Sequence, residues 1–379
     1  KAEGIHFWDE NGKKYIDFCS QLVNCNAGHQ HHKIIESIKK QADELSYISS
    51  SFTIDIRAKL GEKLSEIIPG DLNKSFLSDS GARANEIAII LAKQFTGKEK
   101  IIARKSSYHG ATLGAASISG DIRRTMINAK GYNTIFIDDP HSYELSIGRN
   151  KFLDMKPFIN QLLLTIQRED PDQIAAVIME PISGSNLRIV PPAGYYESVK
   201  DICDKYNILL ILDEVMTGFG RTGKWFGFSH WKVEPDIITL AKGLTSGTMP
   251  LGATVVSNSI ADYFENNYLP TGLTNFAHPI SCAAALAAID IYESEGLIEN
   301  SRKMGQLLEK ELKELSNRYD CIGSYRGKGL FYAIEFVDTI NTNKRLVEWE
   351  DSNYYNVHPK MKRLINNLKK KVFILIQGL

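Results

Sequence analysis

Two short stretches constrain this chain most. Ala175-Ala176-Val177-Ile178-Met179 and Ile208-Leu209-Leu210-Ile211-Leu212 are apolar at every position. A strand with one wet face alternates polar and apolar residues, so an unbroken run implies burial on both faces. Further strand-like runs lie at 75–78, 100–104, 133–138, 236–240 and 252–256, and helix-forming stretches such as 84–93, 155–168 and 195–206 fall between several of them. Strands alternating with helices predict an α/β fold, a mostly parallel sheet with helices on both faces. From about residue 281 the pattern changes. A long helix opens at Ser281, a charged helix follows around 300–318, and a strand pair spans roughly 321–336, which together predict a smaller α+β domain. Residues 5–18 alternate around Asn11-Gly12, a hairpin signal. The expected division is an N-terminal segment 1–45 joining the small domain, a large domain 46–280 and a C-terminal small domain 281–379.

Composition excludes several classes of function. Lys+Arg and Asp+Glu both total 45, a balance that argues against a dedicated nucleic-acid or anionic-membrane partner. No stretch approaches the about 18 apolar residues of a membrane span, and Lys1-Ala2-Glu3-Gly4 lacks a signal-peptide core. Cys19, Cys25, Cys203, Cys282 and Cys321 form no CxxC pair and are odd in number, so free thiols in a reducing cytoplasm are expected. His29, His31 and His32 lack the second ligand pair of a zinc site and read as a turn before a helix; no metal is expected.

Open parallel sheets bind ligands beyond the carboxyl ends of their strands. The polar residues that follow the apolar runs are Asp79-Ser80-Gly81-Ala82, Tyr108-His109-Gly110, Glu180-Pro181, Asp213-Glu214-Val215 and Lys242-Gly243. Taken together they suggest an aldehyde cofactor with a phosphate and a ring nitrogen. Gly81 and Ala82 would offer backbone N–H groups at a helix start to the phosphate. Asp213 would keep a pyridine nitrogen protonated, which makes the ring an electron sink. Lys242, in a dry and cationic setting, would be the amine that forms a Schiff base. Tyr108 would stack on one ring face. Val215, two residues beyond Asp213 and facing the same way along the strand, would pack on the other.

The stretches from Leu212 to Gly223 and from Pro235 to Gly243, with Ser80-Gly81-Ala82, Tyr108-His109-Gly110, Glu180-Pro181 and Gly272-Leu273-Thr274, resemble the class III aminotransferases of fold type I, which use pyridoxal 5'-phosphate. The resemblance runs from about residue 4 to 336. It implies reversible transfer of an amino group from an ω-amino acid or amine, such as 4-aminobutyrate, to pyruvate or 2-oxoglutarate, with Lys242 as general base and acid. It also implies a homodimer with shared active sites, in which Thr274 reaches the cofactor phosphate of the neighbouring subunit. A racemase, aminomutase or decarboxylase on the same scaffold would share Lys242 and Asp213; a non-catalytic binding protein would not need the pair.

Some positions depart from the family. Met216 stands where many members carry Gln, Arg83-Ala84 replace Glu-Ala, and Thr271 replaces a His. The region 138–155 looks short, and the terminal strand and helix that relatives carry are expected to be missing. The arginine that binds a substrate carboxylate in relatives often lies in that last part and has no assigned counterpart here. Two readings stay open for each of four residues: Glu180 as catalytic or as a strand end, Arg221 as a loop anchor or a pocket wall, Arg188 as a binder of an acidic group or a surface residue, and Val23 as a roomy pocket position or core. Gly218-Phe219-Gly220-Arg221-Thr222-Gly223 matches a dinucleotide fingerprint, but Lys224-Trp225-Phe226 is no helix start, so an active-site loop is expected.

Overall fold

The structure, a computed structural model, describes residues 1–141, 154–185, 188–337, 346, 359–371 and 373–374. The chain opens on three short antiparallel strands, β1 (Ala2–Glu3), β2 (His6–Trp8) and β3 (Lys14–Asp17), with Asn11-Gly12 at the turn of the expected hairpin. Seven strands then build the central sheet: β4 (Leu72–Ser78), β5 (Lys100–Arg104), β6 (Asn133–Ile137), β7 (Ile174–Met179), β8 (Leu209–Asp213), β9 (Ile237–Leu240) and β10 (Gly252–Ser257). Their order is β4-β10-β9-β8-β7-β5-β6. Strands β5 to β9 are parallel, and β10 runs against both of its neighbours. β4 therefore points the same way as β9, and every strand of the sheet except β10 delivers its carboxyl end to one edge.

The unbroken apolar runs have the predicted cause. Every residue of β7 and β9 is buried. Along β8 the two faces feed different clusters. Leu210 and Leu212 pack with Leu162, Tyr196, Val199 and Ala285, whereas Ile211 packs with Ile87, Leu91, Ile101 and Val256. Each such side chain contributes about 1.5–3 kcal/mol when buried, so the sheet is held from both sides. The 207–212 run pairs only from Leu209, because Asn207 is left-handed (φ 51°) and the Ile208 N–H is taken by the Cys203 carbonyl at the end of the helix Tyr195–Lys205. The 236–240 run pairs from Ile237, because the Asp236 carboxylate accepts the Leu210 N–H at 2.7 Å and ties the starts of β8 and β9 together.

The helix expected to begin at Ser281 begins at Pro279 and runs to Ser294. It is buried for most of its length, and Cys282, Ala284, Ala285, Ala288 and Ile289 belong to the same core as β8 and β9. The amphipathic helix Leu297–Arg318 follows, then the antiparallel pair β11 (Ile322–Lys328) and β12 (Phe331–Phe336). Beyond these the chain does carry a helix, Pro359–Lys370, and a short strand, β13 (Phe373–Ile374), which pairs parallel with β3. Most of the short 138–155 region falls outside the described residues. Among the described residues no helix is long and apolar enough to cross a membrane.

Candidate active site

The site begins where β4 turns into the helix Gly81–Thr96. Ser80 caps that helix, its Oγ accepting the Arg83 N–H at 3.4 Å. The first main-chain helical bond runs from the Ala84 N–H to the Ser80 carbonyl, so the Gly81 and Ala82 amides precede the ladder and remain available to an anion. Glycine is required at 81 for packing. A Cβ there would lie 2.9 Å from both methyls of Val215 and 3.4 Å from the Ala241 Cβ. A Cβ on Gly110 (φ 139°) would lie 2.5 Å from that of Ala82. Gly81, Ala82, Gly110, Val215 and the Ala241-Lys242 junction therefore meet in one cradle. Val215 arrives differently from the sequence expectation: β8 stops at Asp213, and Val215 sits in the turn beyond it, its N–H bonded to Asp213 Oδ1 at 3.0 Å.

Asp213 is buried at the end of β8. Its Oδ2 accepts the Asn85 amide at 2.8 Å and meets His109 Nδ1 at 2.8 Å. Asn85 gives its other N–H to the His109 carbonyl at 2.8 Å and accepts the Thr239 hydroxyl at 2.7 Å. Asp213 is thus fixed by a helix, a loop and the adjacent strand. Asn85 and Thr239 escaped the sequence reading, and His109 was quoted without a role. The available signal was a buried amide inside the apolar run 84–92 and a hydroxyl inside Ile237–Leu240. His109 Nε2 is buried and unbonded among the described residues.

Lys242 follows β9 and opens a single 3₁₀ turn, Lys242–Thr245, with a left-handed backbone at φ 45°. That conformation costs about 1–3 kcal/mol in a non-glycine residue. It is held by the Tyr292 hydroxyl on the Gly243 carbonyl (2.5 Å), the Leu244 N–H on the Ala241 carbonyl (2.9 Å) and the Ala27 N–H on Ser246 Oγ (2.9 Å). Burial pulls the Lys242 amine down to about 8; Asp213 and Glu180 oppose the shift, and Arg188 and Arg123 reinforce it. An amine lowered that far is neutral in about a tenth of the molecules at pH 7, far more than at its ordinary value, and that fraction is nucleophilic.

Around this floor lies a rim. Glu180, at the end of β7, is buried, and burial raises its carboxyl above the usual range. It accepts the Gly184 N–H at 2.7 Å and the Tyr108 N–H at 3.2 Å, so it clamps two loops together. Tyr108 has the Arg123 guanidinium 3.6 Å from its ring centroid, which covers one face of the ring. Arg123 is itself bidentate to Asp121 at 2.6 and 2.9 Å. Arg221 acts as a loop anchor, donating to Ser20 Oγ at 3.0 Å and to Asn26 Oδ1. Val23 is buried with φ 59°. His29 bonds Asp17 at 2.8 Å, and His31 faces Glu295 at 3.3 Å. Thr274 stands apart on an exposed loop, its carbonyl accepting the Tyr47 hydroxyl; no hydrogen bond joins it to the cradle among the described residues. A cleft of ≈ 400 Å³ opens at the opposite edge of the sheet, lined by Asp71, Asp204 and Asp236 among others and by none of the site residues described above.

The floor fits the cofactor implied by the resemblance. Free amides stand ready for a phosphate, a firmly held carboxylate for a ring nitrogen, and a lysine amine for an aldehyde. The comparisons agree. The family model described as "Aminotransferase class-III" matches residues 1–370. A taurine–pyruvate aminotransferase of Bilophila wadsworthia is 38% identical over 370 residues, covering 92% of this chain and 79% of that protein. A β-alanine–pyruvate aminotransferase of Pseudomonas aeruginosa is 35% identical over 353 residues, covering 88% and 78%. The crystal structure of taurine:2-oxoglutarate aminotransferase from Bifidobacterium kashiwanohense, in complex with PLP and glutamate, superposes with a TM-score of 0.93 at 36% identity, covering 99% of this chain and 84% of that one.

Proposed function

We propose, of a chain that belongs to the class III aminotransferases and is therefore a pyridoxal-phosphate-dependent enzyme of fold type I, that it moves the amino group of an ω-amino acid, or of its aminosulfonate counterpart, to pyruvate or 2-oxoglutarate. The observation that carries this reading is Lys242 set against Asp213, a depressed amine and a triply bonded carboxylate at the ends of adjacent strands. The names of the relatives support the donor class: β-alanine and taurine are both short chains with an amine at one end and an acid at the other.

Bound, pyridoxal phosphate supplies a reactive aldehyde carbon and a ring that takes up carbanion charge. Gly81 and Ala82 would hold the phosphate by backbone amides. Asp213, fixed by Asn85, His109 and Val215, would hold the ring nitrogen, and Tyr108 and Val215 would bracket the ring. Lys242 would bind the aldehyde. Once displaced by the incoming amine, it would take the proton from the donor's amine-bearing carbon and return it one position away. Glu180 would keep the loops of Tyr108 and Gly184 in register.

Homodimer formation and a cytoplasmic setting belong to the same reading. Phe52, Leu113, Met126, Ile127 and Tyr268 are each more than half exposed, apolar surface suited to a second copy, and Thr274 is exposed where it could reach one. Five unpaired cysteines support a reducing compartment.

The test is a donor panel of β-alanine, 4-aminobutyrate and taurine with each 2-oxo acid, following alanine or glutamate formation. One 2-oxo acid should be consumed per donor. Turnover that proceeds without any 2-oxo acid would instead support the racemase or decarboxylase alternative.

A further inference from the structure

Arg188 is the rim residue that no part of the site yet uses. It lies on the loop after β7, closed by the Ile189 N–H on Ser183 Oγ (2.7 Å) and the Ser183 N–H on the Ile189 carbonyl (3.2 Å). Its backbone is left-handed at φ 51°, and its guanidinium lies 4.4 Å from the ring centroid of Phe331 in β12. Among the described residues no acid pairs with it and no acceptor takes its hydrogens. The nearby carboxylate, Glu180, is already committed to Gly184 and Tyr108. Burial pushes its pKa down to about 10; Glu180 opposes the shift and Arg221 reinforces it, and the guanidinium in turn helps depress Lys242. A partly buried guanidinium that makes no ion pair among the described residues is poised for an anion brought in by a ligand. Contact with the Phe331 ring holds the guanidinium in place, while its N–H groups make no hydrogen bond among the described residues.

We infer that Arg188 binds the acidic end, carboxylate or sulfonate, of the amino donor while the donor's amine faces Lys242. This rests on the aminotransferase reading and adds to it a residue that sets donor class.

The test uses the cofactor-loaded enzyme and its Arg188→Leu, Arg188→Gln and Arg188→Lys variants. Half-reactions are followed by visible absorbance with β-alanine, 4-aminobutyrate and taurine, and with propylamine and butylamine, which lack the acid. Binding of propionate and of propanesulfonate, which lack the amine, is measured by calorimetry. Loss of one charge-assisted, bidentate contact should weaken the acidic donors about tenfold to a hundredfold, leave the plain amines within about threefold, and abolish binding of the unreactive acids. Lysine should restore part of the loss. The carboxylate and sulfonate arms show which acid the site takes. Equal losses for acidic and plain donors would overturn the inference and leave Arg188 as a strut between its loop and Phe331, as would unchanged affinity for every acid. If Arg188→Leu does not fold, the glutamine and lysine variants carry the same comparison. A wild-type enzyme that transfers no amino group but loses propionate binding in the variants would sink the function reading and keep this one.

Discussion

The floor of the site and its rim hold their charged groups by opposite means. At the floor, both oxygens of Asp213 are occupied by Asn85, His109 and Val215, and Asn85 is itself held by Thr239. At the rim, Arg188 lies against an aromatic ring and makes no ion pair among the described residues, and Arg221 is tied to the neutral groups of Ser20 and Asn26. Floor backbone is held at the ends of strands and a helix start, and Lys242 is its one non-glycine residue with a positive φ. Rim backbone is left-handed at Ser20, Gln21, Val23, Arg188 and Phe219. The contrast separates preorganisation from reserve. A group fully bonded before a ligand arrives can stabilise developing charge without rearranging. A charge left unpaired keeps its interaction energy for whatever binds. Changes at the floor should therefore alter the chemical step, and changes at the rim should alter which donor is accepted.

The sharpest break of that contrast is at Lys242. Lys242→Ala should lower turnover by about 10⁴-fold or more, since nucleophile and proton carrier go together. Borohydride treatment of the cofactor-loaded protein followed by intact-mass measurement should show an adduct on the wild type and none on the variant. An adduct that persists in Lys242→Ala would place the covalent link on another residue.

Asp213→Asn comes next. It keeps the shape but removes a formal charge, and it leaves an amide where Asn85, His109 and Val215 all meet the carboxylate. A loss of roughly 10²–10³ in kcat is expected, the scale of one electrostatic stabiliser, with KM for the donors nearly unmoved. A rise in KM with kcat intact would mean that Asp213 belongs with the rim.

The floor was largely legible in the sequence because its logic is local. Strands buried on both faces leave long apolar runs, and the polar residue that ends each run, Asp213 after Leu212 or Lys242 soon after Leu240, is visible as a break in pattern. Gly81 and Ala82 were legible for the same reason, as a helix start following a strand. The supporting contacts were not. Asn85 meets Asp213 across 128 positions of sequence, and Thr239 meets Asn85 across 154. No local pattern marks such a pair. Val215 was placed on the strand because apolar character continued past Asp213, whereas the Val215 N–H is drawn back onto the Asp213 carboxylate and turns the chain there. The rim was least legible. Arg188 read as surface or as a binder of an acidic group, because what distinguishes the two is how Phe331, Glu180 and Arg221 lie around it in space.

The smallest expected effect tests the joint between floor and rim. Glu214 follows Asp213 directly, yet its carboxyl points into the next loop. It accepts the Thr217 hydroxyl at 2.5 Å, the Gly227 N–H at 2.8 Å and the Phe228 N–H at 2.6 Å, pinning the loop that carries Arg221. Burial raises its pKa from 4.5 to about 7, against the pull of those three donors. A carboxyl raised on folding contributes stability that is fully present below about pH 4.5 and is lost as pH rises through about 7. Over that window the loss amounts to at most ~3 kcal/mol at about 1.4 kcal/mol per unit. Glu214→Gln cannot titrate and gives up one acceptor. Urea unfolding of both proteins between pH 4.5 and 7.5 should show the wild-type advantage largest at the acid end and shrinking towards neutrality. Loosening the loop should raise donor KM about twofold to threefold with kcat little changed, as for a rim residue. An advantage that is flat with pH, or that grows towards neutrality, would mean that Glu214 is ionised throughout and is held by its donors rather than governed by its burial.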